Sequence, residues 1–122
     1  MLIATWIIYG VLALGFLAAG LMKLAQPREA LASRGSSMAW VEDFTDPSVK
    51  LIGAAEVLGA VGLILPRLLR VAPILSPLAA VGLAVVMVAA IVVHLRRKEP
   101  FVIQLVLAVL AIVGAIFGFA TL

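Results

Sequence analysis

The sequence contains no cysteine, little charge and a single histidine. The absence of cysteine excludes disulfides, thiolate metal sites and dithiol chemistry carried out by the chain's own residues. Charged residues make up 12% of the chain and hydrophobic residues 66%, whereas ordinary globular domains have about 25% and about 45–50%. A soluble fold of 122 residues has too much surface for its volume to hide so much apolar side chain. We therefore expect the chain to be embedded in lipid.

Long apolar stretches occupy most of the chain. Each is long enough to cross a bilayer as a helix, and they cover residues 2–25, 48–66, 71–95 and 100–122. We predict an all-α integral membrane protein in which residues 1–122 form a single transmembrane domain, a four-helix transmembrane bundle. Pro66 is expected to end the second span, and Pro77 is expected to kink the third.

The only sizeable polar segment covers residues 26–47. It mixes charged residues with apolar ones such as Leu31, Trp40 and Phe44, a mixture typical of a segment that lies on the membrane surface. A plain connecting loop is an equally good interpretation of the same residues.

The net charge of +3 is spread over span ends rather than gathered in one block, which indicates membrane topology and no nucleic-acid partner. Four spans place both termini on one side and the loops 26–47 and 96–99 on the other. The loop side carries Lys23, Arg28, Arg34, Lys50, Arg96, Arg97 and Lys98, and the terminus side carries Arg67 and Arg70. Because cytoplasmic loops are enriched in Lys and Arg, we expect a multi-pass protein of the bacterial inner membrane with both loops cytoplasmic and both termini outside.

Strongly polar side chains within the spans fall in one half of the bilayer. Lys23, Glu56, His94 and Gln104 each lie on a different span, toward its loop-side end. A carboxylate at membrane depth costs ~2.5 kcal/mol or more on insertion scales, so we expect Glu56 to have a counter-ion or a functional role. The four are candidate ligand-binding residues. We identify no catalytic residue and expect no cofactor. We also expect no metal site, because one His and one Glu make a poor set of metal ligands.

Helical spacing places each of these polar residues on a face rich in small residues, which mark close helix contacts in membranes. The small residues on the Lys23 face include Gly15, Ala19 and Gly20, and those on the Glu56 face Gly53, Gly59 and Ala60. All four polar residues are therefore expected to point into the bundle. Large aliphatic side chains are left for lipid or partner chains, among them Leu14, Leu21, Val57 and Leu58.

The simplest pairing joins Lys23 to Glu56, since a buried charge neutralises or finds a counter-ion. Three interpretations stay open at this point. The ion pair could only fix helix register, it could form the floor of a polar pocket, or Lys23 could reach the interface and leave Glu56 protonated. Gln104 could hydrogen-bond Glu56 or His94 across helices.

Four segments, in or at the ends of the first three spans, form a recognisable layout. The segments are residues 20–24, with sequence GLMKL, residues 53–66, with GAAEVLGAVGLILP, residues 77–83, with PLAAVGL, and residues 94–97, with HLRR. Together they resemble the DoxX-like family of small four-span bacterial membrane proteins. The resemblance implies a four-helix membrane bundle whose characteristic polar positions are Lys23, Glu56 and His94. The family takes its name from a subunit of a thiosulfate:quinone oxidoreductase, some members are linked to redox homeostasis, and a similar eukaryotic protein helps assemble ligand-gated receptors.

We therefore expect an accessory or ligand-binding protein rather than an independent enzyme, although a subunit associated with an oxidoreductase fits the same features. Its intramembrane polar pocket would take a quinone or another amphipathic small molecule, or a lipid head group. Membrane lipids, a second copy of the chain in a homodimer, or another membrane protein are the possible partners. The alternatives are an assembly or chaperone subunit of a membrane complex and a dimeric transporter of protons or small solutes.

Overall fold

The computed structural model describes residues 1–122, apart from the side chains of residues 36 and 37. Its helices are α1 (Leu2–Ala25), α2 (Arg28–Ala32), α3 (Asp46–Leu69), α4 (Leu75–Arg96) and α5 (Val102–Ala120), with a 3-10 helix at Ser36–Asp43. In the described part of the chain, four of these, α1, α3, α4 and α5, are long and apolar enough to cross a membrane. The predicted fold class, an all-α membrane bundle, is confirmed.

The four spans form a ring in which each packs against two others: α1 lies between α3 and α5, and α4 closes the ring between the same two helices. Short connections at 70–74 and 97–101 make successive spans run in opposite directions. Arg67 near the end of α3 bonds Thr121 beyond the end of α5 and lies over Trp6 near the start of α1. These contacts place both termini at the same end of the bundle.

The two proline predictions are wrong, for a reason that concerns the ends of helices. Pro66 lies inside α3, which continues to Leu69 and ends at Arg70 in the left-handed conformation. Because Pro66 has no N–H, one backbone hydrogen bond is missing near the end of the helix, and the helix continues beyond it. The third span begins only at Leu75, so that Pro77 lies in the first turn of α4, where its N–H would have had no partner within the helix.

Two glycines face each other where α1 packs against α3. A Cβ atom on Gly20 would lie 2.7 Å from the carbonyl oxygen of Gly53, and one on Gly53 would lie 2.9 Å from the carbonyl oxygen of Gly20. Only residues without a side chain allow the two backbones to come this close. Gly15, which we expected on the same contact face, is exposed instead.

Large side chains lie on the outer face of the bundle, as expected for Leu14, Leu21 and Leu58, which are at least half exposed. Val57 is an exception to the prediction. It is only partly exposed, and its Cγ2 atom lies against Gly20, because the glycine contact leaves space for one methyl group beside it.

The segment between α1 and α3 folds against the loop-side end of the bundle. Leu31, Val41 and Val49 are fully buried there, with Trp40 and Phe44 packed around them. Arg28 links the two ends of the segment, since its backbone N–H donates to Asp46 and its guanidinium donates to the carbonyl of Phe44. This burial of apolar side chains favours the packed surface segment over the plain loop.

Candidate functional site

Lys23 on α1 and Glu56 on α3 form an ion pair inside the bundle. The Lys23 Nζ atom lies 2.7 Å from Glu56 Oε1, and the two residues are 7% and 2% exposed. The pairing indicated by the sequence is therefore confirmed. Within the described residues, Glu56 Oε1 receives no hydrogen bond of good geometry, so the contact is an attraction between charges at short distance rather than a well-directed hydrogen bond.

Helix geometry explains why the two side chains meet. Each lies three residues beyond a contact glycine, Lys23 after Gly20 and Glu56 after Gly53. Side chains lean toward the N-terminus of their own helix, and α1 and α3 run in opposite directions. The Lys23 chain therefore leans toward the bundle centre while Glu56 leans toward the loop side, and the close backbone contact lets the charged ends touch.

Trp40 covers this pair from the loop side. Its ring centroid lies 5.9 Å from Lys23 Nζ, within the range in which an ammonium group is attracted to the face of an aromatic ring. Trp40 belongs to the 3-10 helix and is braced by Phe44, whose ring meets it edge to face at 5.4 Å. The surface segment thus supplies both a wall and a favourable electrostatic contact for the buried lysine.

Lys50 is a polar residue of the site that sequence reasoning counted only toward topology. Its ammonium group donates to the carbonyl oxygens of Lys23, at 2.6 Å, and Gln26. Both carbonyls lie at the end of α1 and have no partner within that helix. The signal was available in the sequence, because Lys50 precedes the contact glycine Gly53 by one helical turn and so faces α1.

His94 is buried at the loop-side end of α4, but it pairs with a residue that we had not singled out. Its Nδ1 atom lies 3.1 Å from Glu99 Oε1, and the backbone N–H of Glu99 donates to the carbonyl of His94. Glu99 also accepts from Arg97 at 3.1 Å, and Arg97 reaches Asp43 at 2.7 Å. The hydrogen bonds to Asp43 and Glu99 raise the pKa of Arg97 above its usual range.

The four predicted site residues therefore divide into separate groups. Lys23 and Glu56 form one pair, His94 joins the network of Glu99, and Gln104 is half-buried on α5. Among the described residues, no hydrogen bond joins Gln104 to Glu56 or His94. The same part of the chain holds no group of three or more His, Asp or Glu side chains that could bind a metal ion.

Two open grooves lie away from the ion pair. One, of about 440 Å³, follows α4 and α5 on the lipid-facing side and is lined by apolar residues. The other, of about 460 Å³, lies within the surface segment and includes Arg28, Glu42 and Asp46. Lys23 and Glu56 line neither of these two grooves.

Comparison with known proteins identifies the family. Neither the curated proteins nor the solved structures gave a match to the chain. A family model did, and its match covers both contact glycines, the Lys23–Glu56 pair and His94. The model is that of the DoxX-like family, it matches residues 7–116, and the chain, a small membrane protein with four candidate spans, belongs to that family.

Proposed function

We propose that this protein is an accessory subunit of the bacterial inner membrane that binds the polar head of an amphipathic molecule, a quinone or a lipid, at Lys23 and Glu56. The observation that carries the proposal is the ion pair itself. A buried pair adds little net stability compared with apolar residues of the same volume, so a purely structural role is a weak reason for its presence.

The chemistry of the pair suits a carbonyl-bearing head group. An ammonium group has three donor hydrogens, and among the described side chains the Lys23 ammonium contacts one carboxylate oxygen and one aromatic face. Lys23 would donate to a quinone or ester carbonyl, and Glu56 would accept from a hydroxyl or carry a proton. Trp40, which closes the site toward the loop side, would stack on the ring or head group that enters.

The proposal can be tested by ligand-dependent thermal stability. Purified wild-type protein in detergent is melted with a panel of quinones and lipids, beside Glu56→Gln and Glu99→Gln. We expect at least one compound to stabilise the wild type and Glu99→Gln but not Glu56→Gln. Glu99→Gln is the matched control, since it removes a carboxylate of the same loop-side end that does not touch Lys23.

A second variant keeps the test decisive if Glu56→Gln does not fold. Leaving one buried charge unpaired costs about 3–5 kcal/mol, whereas replacing both partners with apolar residues is often neutral. The double variant Lys23→Met/Glu56→Met should therefore fold and fail to respond to any compound. If no compound stabilises the wild type, or if the double variant responds equally, the ligand proposal is wrong and the assembly role, with a co-purifying protein, becomes the better one.

A further inference from the structure

The end of the bundle opposite to Lys23 and Glu56 carries positive charge without acidic side chains. All six acidic residues of the chain lie in the loop-side half: Glu29, Glu42, Asp43, Asp46, Glu56 and Glu99. At the other end, Arg67 lies in the last turn of α3 and Arg70 follows as its C-cap. The side-chain carboxylates of this chain are thus all too distant to neutralise either arginine.

Arg67 is held in place by two other helices. Its guanidinium carbon lies 5.4 Å from the centroid of the Trp6 ring and 5.7 Å from that of Tyr9, both on α1. One guanidinium nitrogen donates to the hydroxyl of Thr121, beyond the end of α5, at 2.8 Å. Thr121 in turn donates to the carbonyl of Phe117. The side chain is half-buried and fixed, so its donors are oriented before any ligand arrives.

A guanidinium group has five N–H donors arranged in a planar fork that matches a phosphate in two-point contact. The Thr121 hydroxyl takes one of them. Trp6 is near the start of a span, where aromatic rings mark the level of lipid head groups. Leu68 and Leu69, beside Arg67, are 60% and 62% exposed, and such apolar side chains suit acyl chains rather than free anions.

We propose that Arg67, with Trp6 and Thr121, forms a binding site for the phosphate of an anionic phospholipid at the terminus-side surface of the membrane. Arg67 would contact the phosphate in two-point fashion, Trp6 would pack on the glycerol region, and Thr121 would be a positioning residue for the guanidinium. Arg70 adds long-range attraction without the aromatic and hydroxyl contacts. This site is separate from the Lys23–Glu56 pair, and either proposal can fail alone.

The test is lipid retention by native mass spectrometry. Delipidated protein is titrated with phosphatidylglycerol or with phosphatidylcholine, and a parallel thermal-shift series uses inorganic phosphate. We expect the wild type to prefer phosphatidylglycerol, and Arg67→Gln to reduce its affinity by about tenfold or more, the value of one charge-assisted contact. Arg70→Gln is the matched control: it removes the same charge three residues away and should change the affinity far less.

A further variant guards against misfolding of Arg67→Gln. Thr121→Val leaves every charge in place and removes the hydroxyl that orients Arg67, so we expect a smaller but measurable loss of phosphatidylglycerol. Equal losses in the Arg67 and Arg70 variants would overturn the proposal in favour of diffuse surface charge. So would an absence of lipid preference, an unchanged affinity in both Arg67→Gln and Thr121→Val, or a phosphate response as large as that to the lipid.

Discussion

The ammonium group of Lys50 lies 2.6 Å from the carbonyl oxygen of Lys23, so that a lysine of α3 closes the end of α1. The last carbonyls of a helix carry partial negative charge and have no partners within the helix. In the low dielectric near the bundle these groups are expensive to leave unpaired. The contact therefore fixes the end of α1 beside the buried ion pair.

Replacing Lys50 should loosen this end of α1. Lys50→Met keeps most of the side-chain volume but removes the donors, and we expect a loss of about 1–3 kcal/mol in the free energy of unfolding, the cost of a charge-assisted hydrogen bond to a partly buried group. The measurement is denaturant-induced unfolding in detergent. Arg96→Met is the control, since Arg96 is exposed and its loss should cost less than about 0.5 kcal/mol; equal effects would contradict the capping role.

The glycine contact between α1 and α3 predicts a sharp difference between two alanine variants of one helix. A Cβ on Gly20 would lie 2.7 Å from a backbone oxygen of α3, whereas a Cβ on Gly15 would meet nothing within 4 Å. Gly20→Ala should therefore destabilise the protein by about 1–3 kcal/mol through overpacking. Gly15→Ala should be neutral or slightly stabilising, because alanine favours a helix by up to about 1 kcal/mol. Similar melting temperatures for the two variants would argue against the contact.

Tyr9 is a buried residue whose substitution should not lower the stability of the protein. Its ring is fully buried, and its hydroxyl has no hydrogen-bond partner among the described residues. Removing an unsatisfied buried hydroxyl is expected to leave stability unchanged or to raise it by about 1 kcal/mol. Tyr9→Phe should accordingly melt no lower than the wild type. A clear loss of stability would show instead that the hydroxyl holds a bound water molecule or ligand.

The orientation in the membrane remains a prediction, and the lack of cysteine makes it easy to test. Ser33 is exposed in the surface segment, and Val71 is 66% exposed at the opposite end of the bundle. If the loops are cytoplasmic, a membrane-impermeant maleimide should label Val71→Cys in spheroplasts, and should label Ser33→Cys only after lysis. The reverse pattern would place the termini in the cytoplasm.

The fold was predictable because its main determinants are local in the sequence. Apolar runs long enough to cross a bilayer specify the spans without knowledge of their packing. Helix ends were less predictable. Pro66 and Pro77 were misassigned because the effect of a proline depends on its distance from the helix end, and that end is set by the turn at residues 70–74.

The site was predictable only where charge forces a pairing. Glu56 needs a counter-ion at membrane depth, and Lys23 was the nearest candidate at the same level. His94 found its partner in Glu99, five residues along the chain, because a local carboxylate can be reached without crossing the bundle. Trp40 could not be assigned from spacing, since its position over Lys23 depends on how an irregular surface segment folds back.

The ion pair between Arg97 and Asp43 links the surface segment to the end of α4. Asp43 ends the 3-10 helix that carries Trp40, and Arg97 directly follows α4 on another side of the bundle. Because the Asp43 side chain is more than half exposed, this contact is worth only about 0–1 kcal/mol and weakens as salt is added. Added salt would therefore loosen this one contact at the edge of the surface segment, while the buried side chains of Leu31, Val41 and Val49 keep the segment packed and Lys23 and Glu56 beneath it stay paired.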